Sequence, residues 1–211
     1  MTRFPSLYKT LKNKIGKHRL RKNEKGVAMI EFAMALPVLT ILLLGCIDLA
    51  VYLVAHQRIA RSAYTMSNLM TQMDQGLTEA QVGDMMLALD QVSKPFDIAT
   101  DGVATITAII GNGVDGAPAT SYTVAWQRCY GANASGSEFG SSGASVSAAD
   151  IPENTIVTTS QILVVTEIEY TYEPILGFLP LEGQIEYDAF FRPRRGTIEN
   201  IIADGSPGHS C

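Results

Sequence analysis

The chain has 211 residues, a formal net charge of −5 and 46% hydrophobic residues. Only three histidines, His18, His56 and His209, can serve as imidazole bases, and they fall in a basic leader, beside an apolar segment and in the tail. No nucleophile triad is suggested, and the chain is expected not to be an enzyme.

Charge is distributed very unevenly. Nine of the sixteen Lys and Arg residues and one acid, Glu24, precede Gly26, giving the leader +8; the 20 acids and seven bases that follow leave −13. A basic arm for nucleic acid is the weaker reading of such a leader when a long apolar segment follows it. That segment, Val27 to Val54, carries only Glu31 and Asp48, and Phe32 to Ile47 between them holds no charge. A bilayer core of ~30 Å needs about 20 mostly apolar residues as helix, and the segment meets that length. Bases flanking a span stay on the cytoplasmic side, so the leader is expected inside and the acidic bulk outside, in a single-pass protein. Ala33-Met34-Ala35 has the form of a signal-peptide cleavage site, but most of the apolar run follows it, which opposes a secretory signal. Glu31 is the unusual residue: a carboxylate at this depth is costly without a partner, unless it snorkels to the cytoplasmic interface.

Beyond the span, Val51, Val54, Ile59, Ala63, Met66, Met70 and Met73 recur at helical intervals, predicting that the helix continues as an amphipathic one. The apolar stripe is expected to cover the protein's own sheet, the alternative being the core of a helical filament. Pro37 lacks an amide hydrogen and is a point for a bend. Gly76 ends this helix, and Thr78 with Gln81 forms a capping box for a second helix reaching about Val92, before Pro95.

From Gly102 the period becomes two. Val103 to Ile110 and Tyr122 to Cys129 read as a hairpin about the turn Gly111 to Pro118. That turn matches a dinucleotide-binding glycine pattern, but Pro118 and a strand follow where a phosphate site needs a helix, so no nucleotide or other small-molecule cofactor is expected. Gly131 to Ala149, dense in Gly, Ser and Ala, is expected to be a flexible loop. Asn133-Ala134-Ser135 fits the glycosylation pattern by three residues only and is given no role. Ile162 to Tyr172 and Ile185 to Phe191 alternate as two further strands, predicting one antiparallel sheet of about four strands with a single buried face. Glu167, Glu169, Glu186 and Asp188 would lie on the other face; without a calcium-loop spacing no metal site is predicted there. The connecting Ile175 to Leu181 is unusually apolar for a turn, and it would meet a partner subunit, the outer leaflet or the sheet itself. Cys46 lies in the span. Cys129 and Cys211 belong outside, where an oxidising compartment permits the one disulfide they can form.

The fold class expected is therefore α+β: a leader (1–26), a transmembrane helix (27–54), a helical extension with a second helix (55–94), and a β-rich extracytoplasmic domain (95–211) containing the loop 131–149.

The run Lys25-Gly26-Val27-Ala28-Met29-Ile30-Glu31-Phe32 resembles a type IV prepilin junction of the Flp class. Its continuation through Pro37, the run Leu43 to Asp48, and at the far end Phe178-Leu179-Pro180 with Phe191 to Gly196, are similar to the TadE/TadG-like pseudopilins of the tight-adherence pilus system. Phe32 stands where major Flp pilins usually carry Tyr, and a large outer domain follows where they end, so the resemblance implies a minor subunit. It implies processing by a prepilin peptidase between Gly26 and Val27, assembly through Glu31, Phe32 and Pro37, and partners among other pilins or pseudopilins. The new amino terminus at Val27 would lie one helical turn before Glu31, within reach of it in the same chain or a neighbour. An uncleaved envelope scaffold binding periplasmic partners and a pilus-tip adhesin are the competing readings.

Overall fold

A computed structural model describes residues 24–73, 76–132, 136–152, 155 and 157–211. The greater part of the leader and the Asn133-Ala134-Ser135 motif lie outside the described residues. The chain divides into two units, Met1–Cys46 and Ile47–Cys211.

Helix α1, Glu24–Gln72, runs through both without a break at Pro37. Among the described residues it is the single helix long and apolar enough to cross a membrane. In the first unit its apolar side chains, from Val27 and Met29 through Phe32 to Leu43, are exposed. Exposure of so many large apolar groups is normal for a chain solvated by lipid and costly in water.

In the second unit the remainder of α1 becomes one-sided. Ala55, Ile59, Ala63, Met66 and Met70 are buried against the sheet, so the methionine stripe covers the protein's own core. Ala55 takes the place expected of Val54, which is 45% exposed. A buried polar link fixes the packing: the Ser67 hydroxyl bridges Thr166 Oγ1 (2.7 Å) and the Ala189 carbonyl (2.9 Å). Helix α2, Glu79–Ser93, begins with the predicted capping box on Thr78 and Gln81. Val82, Met86 and Leu89 point from it into the same core. The one-turn α3, Ile98–Asp101, leads into the sheet.

The sheet has five antiparallel strands: β1 Gly102–Asn112, β2 Ser121–Tyr130, β3 Ser145–Val146, β4 Ile162–Tyr172 and β5 Gly183–Phe191, in the order β3-β2-β1-β4-β5. The hairpin and the two later strands form as their alternation predicts. The fifth strand, β3, is only two residues long and lies within Gly131 to Ala149, a stretch whose composition shows little period-two signal.

The expectation of a single buried face is corrected. One face packs on the helices through Ala104, Ile106, Val164, Ile168 and Ile185. On the other, Ile109, Val124, Leu163 and Val165 are covered by Phe139, Val146, Ile151 and Val157. The reason is visible in β4, where Leu163 and Val165 are apolar at positions that Glu167 and Glu169 continue as acidic. Half of that face requires a cover, and Phe139, Val146, Ile151 and Val157 supply it.

Candidate functional site

The residues expected to matter fall in two places. Gly26, Val27, Glu31, Phe32 and Pro37 all lie in α1 within the first unit, with exposed side chains. Among the described residues Glu31 has no ion pair. Its four neighbours on either side, Val27 to Ile30 and Phe32 to Ala35, are all apolar or small.

Cys129 and Cys211 form a disulfide, with Cα atoms 5.0 Å apart, while Cys46 is free and exposed. The bond ties the carboxy-terminal tail to β2, and the Cys129 amide donates to the His209 carbonyl (2.7 Å) beside it. The tail also caps α2: the Asp204 carboxylate accepts from the amides of Ala80 (3.1 Å) and Ser206 (3.0 Å), which hold its pKa down at about 2. Arg128 of β2 and Glu79 at the start of α2 form a salt bridge with both Arg128 Nε contacts at 3.0–3.1 Å, and Glu79 is only 8% exposed.

The second place is one that sequence reasoning missed. Asp48, Tyr52 and His56 follow one another at four-residue intervals and so share one face of α1. Asp48 is wholly buried. Its carboxylate accepts three backbone N–H groups from the β4–β5 connection: Leu176 (3.1 Å), Phe178 (2.8 Å) and Leu179 (3.4 Å). Such bonds to an ionised acceptor are the strong kind. One turn on, the Tyr52 ring meets the His56 ring edge-on at 4.5 Å and the Tyr172 ring at 5.3 Å. His56 Nδ1 is 3.1 Å from the Tyr187 hydroxyl. Burial, then the negative charge of Asp48, raise the Tyr172 pKa, so this phenol stays protonated. His56 Nε2 and Tyr172 Oη are buried without a partner among the described residues, which marks this as a polar pocket in an apolar setting. The spacing Asp-x3-Tyr-x3-His was the available signal; it lay on the same helix whose apolar stripe drew attention.

In this arrangement a carboxylate holds a turn, and an aromatic column packs beside the strands on either side of it.

The four sheet carboxylates do pair, Glu167 opposite Asp188 and Glu169 opposite Glu186. Glu167 is buried, accepts from the Glu138 amide (2.9 Å) and has its pKa raised, mainly by loss of solvation. Asp188 is raised for the same reason, with Glu138 and Glu186 adding repulsion. Among the described residues no group of three or more His, Cys, Asp or Glu side chains is arranged to hold a metal.

No curated protein and no solved structure matches the chain. Residues 26–65 match a family model described as TadE-like protein, the family that the junction resembles, so the chain carries a TadE-like segment.

Proposed function

We propose that the protein is a minor pseudopilin anchored in the bacterial inner membrane by α1, its second unit in the periplasm, and that it serves in assembly or anchoring of a tight-adherence pilus as a structural subunit rather than an enzyme. The observation that carries this is Glu31. It is an exposed carboxylate in an apolar helix, four residues after Val27, within the TadE-like segment. A prepilin peptidase cutting after Gly26 would leave an ammonium at Val27 one turn away, and pairing that cation with Glu31 of a neighbouring subunit would make charge compensation and assembly a single event. The asymmetry of +8 before Gly26 and −13 after it supports the orientation.

Intact mass of the native protein tests the reading. A chain beginning at Val27 agrees with it; a chain that keeps its leader overturns the processing step and favours the uncleaved scaffold. Replacing Glu31 by Gln should then lower recovery of pilin complexes while leaving the second unit folded.

A further inference from the structure

The turn that Asp48 holds is chemically odd. Ile175, Leu176 and Phe178 are 73%, 47% and 43% exposed, although a β4–β5 connection in water would ordinarily be polar. We infer that residues 174–181 form an interfacial foot, seated in the outer leaflet of the bilayer that α1 enters, with Asp48 as the bracket that holds it there. The inference rests on the membrane-anchor part of the proposed function and on no other part of it.

Three observations carry it. The first is position along the chain: Asp48 is the charged residue that closes the uncharged stretch Phe32 to Ile47, so the turn is fastened where the hydrocarbon-compatible sequence ends. The second is the state of the turn's amides. Pro174 and Pro180 have no N–H; those of Leu176, Phe178 and Leu179 are taken by Asp48, and that of Leu181 by the Leu179 carbonyl (2.8 Å). Six of the eight positions therefore present no amide in need of water, which lowers the cost of seating this irregular backbone at the interface, where its carbonyls still meet water. A surface built for a protein partner has no need to give up its donors, since a polar rim of such groups is what partners use. The third is the side-chain pattern. The tip is aliphatic with one aromatic, while Glu173 and Glu182 stand just outside it. Acidic shoulders oppose anionic headgroups and limit the depth of entry, so apolar burial has to drive the contact. The bracket matters because an unsupported apolar turn would fold back on the protein or lose its shape; one fully buried carboxylate holds three of its amides at once.

The test uses the full chain with Cys46→Ser, reconstituted at low density in phosphatidylcholine vesicles, carrying a nitroxide at Ile175→Cys or, as the water-exposed reference, at Val114→Cys on the β1–β2 turn. Val114 is 75% exposed, and the two native cysteines that remain are bonded to each other. Collision of the label with oxygen, which concentrates in lipid, is compared with collision with a water-soluble nickel chelate. The expected result is a reversal: oxygen favoured at position 175, nickel at 114. Two results overturn the inference: position 175 as open to nickel as 114, which places the turn in water, or 175 shielded from both reagents, which places it against protein. Flotation of the protein with the vesicles reports the anchor separately, so failure of the foot and failure of the span are told apart.

Discussion

Asp48 gives the sharpest test of the structural account. Its carboxylate accepts three amides and has no exposure, so replacing it removes acceptors from donors that sit 128 to 131 residues away in the chain. A hydrogen bond to an ionised partner contributes about 1.5–3 kcal/mol when both groups are buried, but Leu176 and Phe178 are exposed and their amides can turn to water. Counting about 1 kcal/mol for each of the three bonds, Asp48→Ala should cost about 3 kcal/mol. Asp48→Asn keeps one oxygen and points an NH2 at donors, so it should cost about 2 kcal/mol. For a unit of this size that corresponds to a fall of about 5–10 °C in Tm. Thermal unfolding of the detergent-solubilised full chain measures the global loss, and amide exchange locates it: the amides of Leu176, Phe178 and Leu179 should lose protection while β1 keeps its own. Unchanged protection at those three amides in Asp48→Asn would refute the bracket, whatever happened to Tm.

The remaining predictions concern the rest of the second unit. Replacing Cys129 and Cys211 by Ser should lower stability by about 2–5 kcal/mol in a denaturant titration, and native protein should change mobility on reduction in a denaturing gel. Arg128→Met leaves Glu79 buried without its cation and should cost about 3–5 kcal/mol by the same titration; the double replacement Arg128→Met with Glu79→Leu should recover much of this. The raised pKa values of Glu167 and Asp188 mean that the folded state holds protons more tightly than the unfolded state. Their penalty is absent below the ordinary carboxylate range and grows as pH rises through the raised folded values, so this pair makes stability fall with increasing pH across that window. Glu167→Gln should flatten the slope and raise the denaturation midpoint at neutral pH; a steeper slope would contradict the assignment.

Which parts of this fold could be read from the residues depends on how local their cause is. Strand alternation in Ile162–Tyr172, the Thr78–Gln81 box and the apolar stripe from Ile59 to Met70 are patterns within one element, and each forms as read. The disulfide needed only the chain's division, since two cysteines outside the apolar segment admit one pairing. Long-range pairings were not legible. Nothing near Glu79 in the chain points to Arg128, and nothing near Asp48 points to the amides of a turn far beyond it. Backbone donors leave no trace in side-chain sequence, so a carboxylate that binds them reads as an unexplained acid at the end of a span. The second sheet face was missed for a related reason: Phe139 and Val146 are isolated bulky residues in a Gly- and Ser-rich stretch, and composition averages them away.

The two acids that bound the uncharged stretch solve the same problem by different means, and that difference separates folding from assembly. Asp48 is buried and satisfied within its own chain by Leu176, Phe178 and Leu179. Glu31 is exposed on α1 and has no ion pair among the described residues, so on the proposed function its charge is offset by the interface, by the new amino terminus at Val27 or by another chain. Substitution by the isosteric amide should therefore split cleanly. Asp48→Asn should lower Tm and free the turn's amides even in an isolated, detergent-solubilised monomer. Glu31→Gln should leave that monomer's Tm unchanged, because its removal breaks no bond inside the fold, yet reduce cross-linking between subunits in the native membrane. If Glu31→Gln shifted the monomer's Tm as far as Asp48→Asn does, Glu31 would belong to the fold, and the assignment of its charge to subunit association would be wrong.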